Sequence, residues 1–471
     1  MKTLKKILFI LSPFERKRAT VLLIMITISA LLDMIGVASI FPFISVLSNP
    51  QIIETNLYLN EAYKKANLYG IKNEQEFLFL LGILFFVLLV TSILFKAFKT
   101  YFEIRFTSFL NYSIGKRLVT KYLQQPYNWF LNRNSADLGK TILSEVGFIV
   151  SKSVRPMINL ISQSINVLAI LALLIAVNPT ATIVLSVTLA IVYGIIYKVN
   201  RNFLIKIGDE RIKANEKTFI AINEAFNANK EIKLGALEKF YTKRFSEPAK
   251  ILAQHNAKSA YLSQLPSFGL QAITYGGTLV LVLYLMKSSG TFLNALPIIS
   301  LYAFAGMRLM PSFKMIYTSI SNQQFSNAGL DHIRKEIADN DIKTINNDKV
   351  DQNLELNREI TLSNICYTYP GSSHRALKDI NLDIPSGSRI GLVGTTGSGK
   401  TTLVDIILGL FEAQQGTLEV DGQVISKHNV RSWQSSIGYV PQQIFLADDT
   451  VAANIAFGID YKEIDHEAVE N

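Results

Sequence analysis

The chain is 471 residues long and carries 47 Lys and Arg against 37 Asp and Glu, a formal net charge of +10. Hydrophobic residues make up 49% and charged residues only 18%, which is too apolar for an ordinary soluble protein. A single cysteine, Cys366, excludes an internal disulfide and fits a reducing compartment, and the five histidines show no metal-ligand spacing.

The N-terminal arm pairs Lys5-Lys6 with a short apolar run, Ile7–Leu11, and then Glu15-Arg-Lys-Arg18. The run is short and no small-residue cleavage site follows it, so the arm reads as an amphipathic helix on the cytoplasmic face, not a signal peptide. Beyond it, up to about residue 325, come six apolar stretches of membrane-crossing length: Ala19–Val46, Phe77–Phe95, Met157–Val177, Ala181–Tyr197, Phe268–Met286 and Leu296–Ile316. The last is interrupted by Arg308 and Lys314. The segments 96–156 and 198–266 are strongly basic, whereas Asn178-Pro-Thr180 and Ser288–Asn294 carry no charge. That alternation puts both termini in the cytoplasm and makes the net charge a topology signal; no nucleic acid partner is inferred from it. Both basic segments contain helix-period sequence, Phe102–Tyr122 and Thr218–Phe240, and half of one would reach about 40 Å below the membrane.

Asp331–Asn353 is polar and rich in Asn, Asp and Lys, and is taken as a helix end and linker, with a linker over 326–353. The sequence from 354 onward has ordinary α/β composition. At its centre lies Gly394-Thr395-Thr396-Gly397-Ser398-Gly399-Lys400-Thr401, the P-loop pattern. A strand-like run, Arg389–Val393, precedes it and a helix-period run, Thr402–Leu410, follows. Glycines in this pattern let backbone N–H groups face a phosphate chain, which a helix N-terminus also attracts. Lys400 would reach the β- and γ-phosphates of ATP, and Thr401 would offer its hydroxyl to Mg²⁺.

Six spans, two long helical cytoplasmic segments and a P-loop domain together resemble an ABC exporter half-transporter: a six-span α-helical bundle over 1–325, then a partial α/β P-loop domain over 354–471. Tyr122-Leu-Gln-Gln-Pro126, Phe130 and Arg133–Leu138 look like the first coupling region of that family, and Glu224–Phe226 with Lys230–Leu234 is similar to the second. In the family these short helices dock on the ATPase domains, the second on that of a partner chain, which implies a second copy or a homologous half-transporter as partner. Ile365-Cys-Tyr-Thr-Tyr369-Pro alternates like an edge strand, and the resemblance implies that an aromatic there stacks on adenine. Tyr369 is preferred, with Tyr367 on the same face as the alternative. Gly416–Val420 followed by Asp421-Gly422 reads as a strand and tight turn. Ile437–Gln442 looks like the Q-loop, whose glutamine, here Gln442, contacts Mg²⁺ and the region of the attacking water. The family's signature sequence, Walker B strand, catalytic glutamate and switch histidine do not occur downstream of Gln442. The expectation is an incomplete sheet with apolar surface uncovered, and little hydrolysis by this polypeptide alone.

Asp33–Phe43 in the first span and Arg308–Pro311 in the sixth look like the exporters that flip lipid-linked oligosaccharides or glycolipids across the bacterial inner membrane. An acidic residue within a span costs roughly 2.5–3.5 kcal/mol and faces a cavity or a cation. Asp33 and Arg308 are therefore candidates for contacting an amphiphilic substrate, or for pairing with each other to lock two spans. Membrane lipid is the other implied partner. A peptide or drug exporter of the same fold, and a non-hydrolysing regulatory membrane protein, stay open as alternatives.

Overall fold

Helices of about fifty residues set the plan of the N-terminal part. The computed structural model describes residues 2–68, 73–131, 133–289, 292–338, 354–442 and 444–470. They form two units, one of residues 1–124 and 132–342 and one of residues 125–131 and 343–471.

In the first unit, Ser12 caps the helix Pro13–Ala38 by accepting the Glu15 N–H, while Glu15 Oε2 accepts the Ser12 N–H at 2.7 Å. The helix breaks at Ser39 and resumes as Ile40–Ser48, a turn ahead of Pro42, which has no N–H to continue the ladder. Glu74–Leu123, Pro179–Asn227, Glu238–Ser289 and Phe292–Ala338 are single helices. The helix-period segments beyond the spans therefore continue the spans themselves, and Glu74–Leu123 alone extends about 75 Å. Among the described residues, four helical stretches are long and apolar enough to cross a membrane: Pro13–Ser48, Glu74–Leu123, Ser135–Val177 and Thr182–Asn227. The fifth and sixth expected spans lie within Glu238–Ser289 and Phe292–Ala338, whose prolines, Pro248, Pro266, Pro297 and Pro311, sit inside the helices.

One boundary differs from the sequence reading. Residues 326–338, assigned to the linker, are helical, and Leu330 and Ile333 there are buried. Their apolar spacing continues the packed face of the helix despite the polar composition around them. The rest of the expected linker, 339–353, lies outside the described residues.

Two π-helical turns, Thr141–Glu145 and Val150–Val154, flank Val146–Ile149 and precede Arg155–Val177. Glu145 is fully buried there, and Arg211 donates to it at 2.7 Å and Asn215 at 2.6 Å. The Arg211 guanidinium also lies 3.5 Å from the centre of the Phe148 ring. Gly208 permits a close crossing: a Cβ at this position would stand 2.2 Å from the Phe325 carbonyl oxygen.

The second unit holds a four-stranded antiparallel sheet in the order β2-β1-β3-β4, with β1 Glu359–Thr368, β2 Arg375–Pro385, β3 Gln415–Val420 and β4 Gln423–Val424. β1 is central, which corrects the edge-strand reading: both its sides are paired, and bulges between Leu362 and Thr368 bend it. Gly416 passes so close to this bend that a Cβ would sit 2.2 Å from the Ser363 carbonyl. Asp421 and Gly422 both have positive φ, 51° and 82°, and form the two-residue turn read from the sequence. Asp421 also accepts the N–H groups of Asn357, Arg358 and Glu359 at 2.7–2.9 Å, and these bonds hold its carboxyl below the usual aspartate range.

The run Arg389–Val393 is not a strand here. It has no paired neighbour among the described residues, and Val393 is 97% exposed. Ile437–Val440 likewise joins no strand among the described residues. Val440, Ile444, Phe445 and Leu446 add to this exposed apolar face. A strand exists only as part of a ladder, so apolar alternation without a neighbouring backbone leaves an extended segment.

Candidate functional site

The P-loop runs from the exposed segment at Gly394 into the helix Lys400–Ile407, whose N-cap is Gly399. Gly397 and Gly399 have φ of +84° and +88°, a region that side-chain-bearing residues rarely adopt. Gly399 is also pressed against β2, since a Cβ there would stand 2.6 Å from the Ala376 carbonyl and 2.8 Å from Leu377 Cδ2. A Cβ on Gly394 would fall 2.8 Å from Ser398 Oγ. Thr395, Thr396, Gly397 and Ser398 are exposed, and the Ser398 N–H closes the turn by donating to the Thr395 carbonyl at 3.2 Å.

Lys400 curls over this turn. Its Nζ donates to the Gly394 and Thr395 carbonyls, both at 2.8 Å, and lies 3.3 Å from Ser398 Oγ. The cation is thus held at the mouth of the loop, beside the backbone that would cradle a phosphate. Thr401 is exposed on the first helical turn, whereas Thr402 is buried and its hydroxyl meets the Tyr369 hydroxyl at 2.9 Å. That bond ties the end of β1 to the start of the P-loop helix. Glycine cradle, lysine and exposed threonine together fit a nucleotide triphosphate with its Mg²⁺.

The two candidate tyrosines differ in setting. Tyr367 is buried and stacks on Phe411 with ring centres 5.0 Å apart, and burial raises its hydroxyl above the usual range. Tyr369 is half-buried and meets both rings edge-on, at 5.3 and 5.8 Å. Only Tyr369 keeps a partly open ring next to the P-loop. Asp405, on the same helix, is raised by burial. Gln442 lies exposed on irregular chain after Pro441.

In the first unit, Asp33 and Arg308 come together. Arg308 Nη1 lies 3.4 Å from Asp33 Oδ1, and the carboxylate is buried. Two further residues join them: Ser92 Oγ donates to Asp33 Oδ1 at 2.5 Å, and Lys96 Nζ lies 3.9 Å from Oδ2. Neither was singled out from the sequence. Their signal was spacing, since residues 92 and 96 share a helix face, at the end of the second span. One turn further, Lys99 is buried against Glu103 at 3.5 Å and Ser162 at 3.4 Å. Among the described residues no group of three or more His, Cys, Asp or Glu is placed to hold a metal.

Comparison with known proteins places these features in a family. Residues 17–309 match the ABC transporter transmembrane region and residues 377–470 the ABC transporter family. The ATP-dependent lipid A-core flippase of Cupriavidus pinatubonensis (strain JMP 134 / LMG 1197) is 25% identical over 361 residues, covering 75% of this chain and 60% of that protein. The protein of the same name from Psychrobacter arcticus is 26% identical over 398 residues, 82% of this chain and 64% of that one. The chain thus spans about 60% of the length of the first curated relatives it matches. Among solved structures, a bacterial Atm1-family ABC exporter with ATP bound aligns with a TM-score of 0.72 at 16% identity, covering 95% of this chain and 75% of that one. That likeness establishes the exporter fold. This chain belongs to the ABC transporter family.

Proposed function

We propose that the chain works in an ATP-driven exporter that flips a phosphate-bearing lipid amphiphile, a lipid-linked oligosaccharide or a glycolipid, across the bacterial inner membrane. The observation that carries the substrate class is the Asp33–Ser92–Lys96–Arg308 cluster, because ionised groups within spans mark substrate pathways. The relatives named lipid A-core flippases support the same class. Both termini face the cytoplasm, as the basic segments between spans require, and a second copy of the chain or a homologous half-transporter completes the machine.

In the P-loop, Lys400 leaves the Gly394 and Thr395 carbonyls for the β- and γ-phosphates, and the exposed turn supplies N–H donors. Thr401 and Gln442 would hold the Mg²⁺, which supplies charge neutralisation when bound. Tyr369 offers its ring to the adenine.

The test is ATP-dependent movement of a fluorescent short-chain phosphoglycolipid between leaflets of proteoliposomes that hold the chain assembled with its partner half-transporter. Movement that stops with Lys400→Ala and is absent for a neutral-headed analogue is the expected result. Movement indifferent to both ATP and head group would sink the proposal.

A further inference from the structure

The chain passes between its two units three times, after Gln124, after Leu131 and after Ile342. The first two crossings bound the short helix Tyr127–Leu131, and the third follows the helix Phe292–Ala338. Near each crossing in sequence stands one member of a single cluster in the first unit. Glu336, in the last turn of Phe292–Ala338, accepts the Tyr122 hydroxyl on Oε2 at 2.9 Å and Arg133 Nη1 on Oε1 at 3.1 Å. Tyr122 is 4% exposed and the Glu336 side chain 12%, so the carboxylate is largely withdrawn from water. A charge-assisted hydrogen bond in such a setting is stronger than one at the surface. One carboxylate thus fastens both flanks of the excursion 125–131, one oxygen to each, onto the helix that precedes the third crossing. Lys121 serves a different need. Its ammonium donates to the carbonyls of Glu336 and Ile337, the latter at 3.2 Å. These are carbonyls that a helix end leaves without an intrahelical partner. The helix end is therefore closed without the Glu336 carboxylate, which is left to bind the flanks of 125–131.

We infer that Glu336 is a positioning residue that locks the excursion 125–131 to the end of Phe292–Ala338, so that a nucleotide-driven shift of either is imposed on the other. The inference rests on the ATP-driven reading above and not on the substrate assigned there. Within the second unit, Tyr127 packs against Phe411 with ring centres 5.6 Å apart, and Phe411 meets Tyr369 edge-on at 5.8 Å. Tyr369 is the ring offered to the adenine, so a nucleotide that reorders it bears on the excursion through Phe411. The carboxylate then carries the shift into Phe292–Ala338, the helix that also holds Arg308. Without it the excursion and the helix end respond separately, and binding at the P-loop loses its differential hold on the helix bundle.

The experiment is amide hydrogen exchange on the full chain in nanodiscs, with and without a non-hydrolysable ATP analogue, and thermal unfolding of each variant as a fold control. In wild type the analogue should slow exchange at the P-loop and change it at both Tyr127–Leu131 and 330–338. Glu336→Gln keeps the size of the side chain and removes its charge. It should retain the first two responses and cut the third about fivefold, the low end of couplings between sites. Lys121→Gln supplies the contrast that a merely structural role would not survive. It should raise exchange at 330–338 with or without nucleotide, yet leave the nucleotide response there in place. An undiminished response at 330–338 in Glu336→Gln, or an equal loss of it in Lys121→Gln, would overturn the positioning role. A wild-type response at the P-loop with none at 330–338 would also overturn it and leave the ATP reading standing. No wild-type response at the P-loop would instead overturn that reading, and the inference with it. Should Glu336→Gln fail to fold, Tyr122→Phe decides, because it removes only the hydroxyl. A response at 330–338 reduced about twofold or more bears the inference out, and an unchanged one refutes it.

Discussion

Gly397 and Gly399 allow the P-loop geometry to be tested with a built-in control. Both have φ near +85°, at +84° and +88°, so an alanine at either position meets the same backbone strain, about 1–2 kcal/mol. Their surroundings differ. A Cβ on Gly397 meets nothing within 4 Å, whereas one on Gly399 stands 2.6 Å from the Ala376 carbonyl and 2.8 Å from Leu377 Cδ2. The first of those neighbours is backbone in β2 and cannot swing aside. Overpacking of this kind adds about 1–3 kcal/mol. The gain from a less flexible unfolded chain is common to both substitutions and cancels between them. Because the loop is exposed, it relieves the overlap by moving, so the extra cost falls on nucleotide binding. Gly399→Ala should therefore bind a fluorescent ATP analogue roughly five- to a hundredfold more weakly than Gly397→Ala, with similar unfolding midpoints for the two variants. Equal affinities, or a larger loss at Gly397, would refute the contact with β2 as the reason for glycine at 399.

Removing Arg211 while leaving Glu145 buried should cost about 3–5 kcal/mol. Arg211→Met should lower the thermal midpoint strongly, and adding Glu145→Gln should restore part of it; no difference between single and double variants would show that the charges are not coupled. Reversing Asp33 to Arg should impair transport more than the combined Asp33→Arg/Arg308→Asp exchange, read in the same leaflet assay, and equal damage would remove the pairing. The Asp421 carboxyl is held below its unfolded value by three backbone N–H groups, so the stability it contributes is present above the ordinary aspartate pKa of about 4 and is lost as pH falls through the lower folded value. Asp421→Asn should accordingly flatten the acid limb of the unfolding curve of the P-loop unit, and an identical acid limb would refute that linkage.

Local chemistry explains which parts of this chain were legible in its sequence. The P-loop could be read because glycine and lysine act at fixed offsets: positive φ at Gly397 and Gly399, and a lysine one residue past the cap. The Asp421-Gly422 turn was legible for the same reason. Four stretches of membrane-crossing length were visible through composition alone, since a bilayer demands long apolar helices. Strand pairing was less visible, because the partner of a strand is chosen by distant residues. Ile365–Tyr369 alternates well enough to suggest an edge, yet β3, which begins at Gln415, supplies the partner that makes β1 central. Arg389–Val393 shows the converse, an apolar alternating run without a ladder to join.

The membrane cluster marks where reading by residue type stops. An aspartate within a span announces that something must neutralise it, and this pointed to Arg308, the most conspicuous cation in another span. Lys96 carries the same charge but stands in the sequence at the first residue of a basic segment, where composition alone ends the span. The structure shows why that boundary misleads: Glu74–Leu123 is one helix, so the residues just past the apolar run keep the same face and continue the same interface. Ser92, Lys96 and Lys99 follow at intervals of four and three along it, and Ser92 and Lys99 are buried. The polar interior of the bundle is thus a property of helix phase carried past the hydrophobic limit. A sequence reading that extends each span's phase into its stalk, before assigning charges to loops, would have found all four members of the Asp33 cluster.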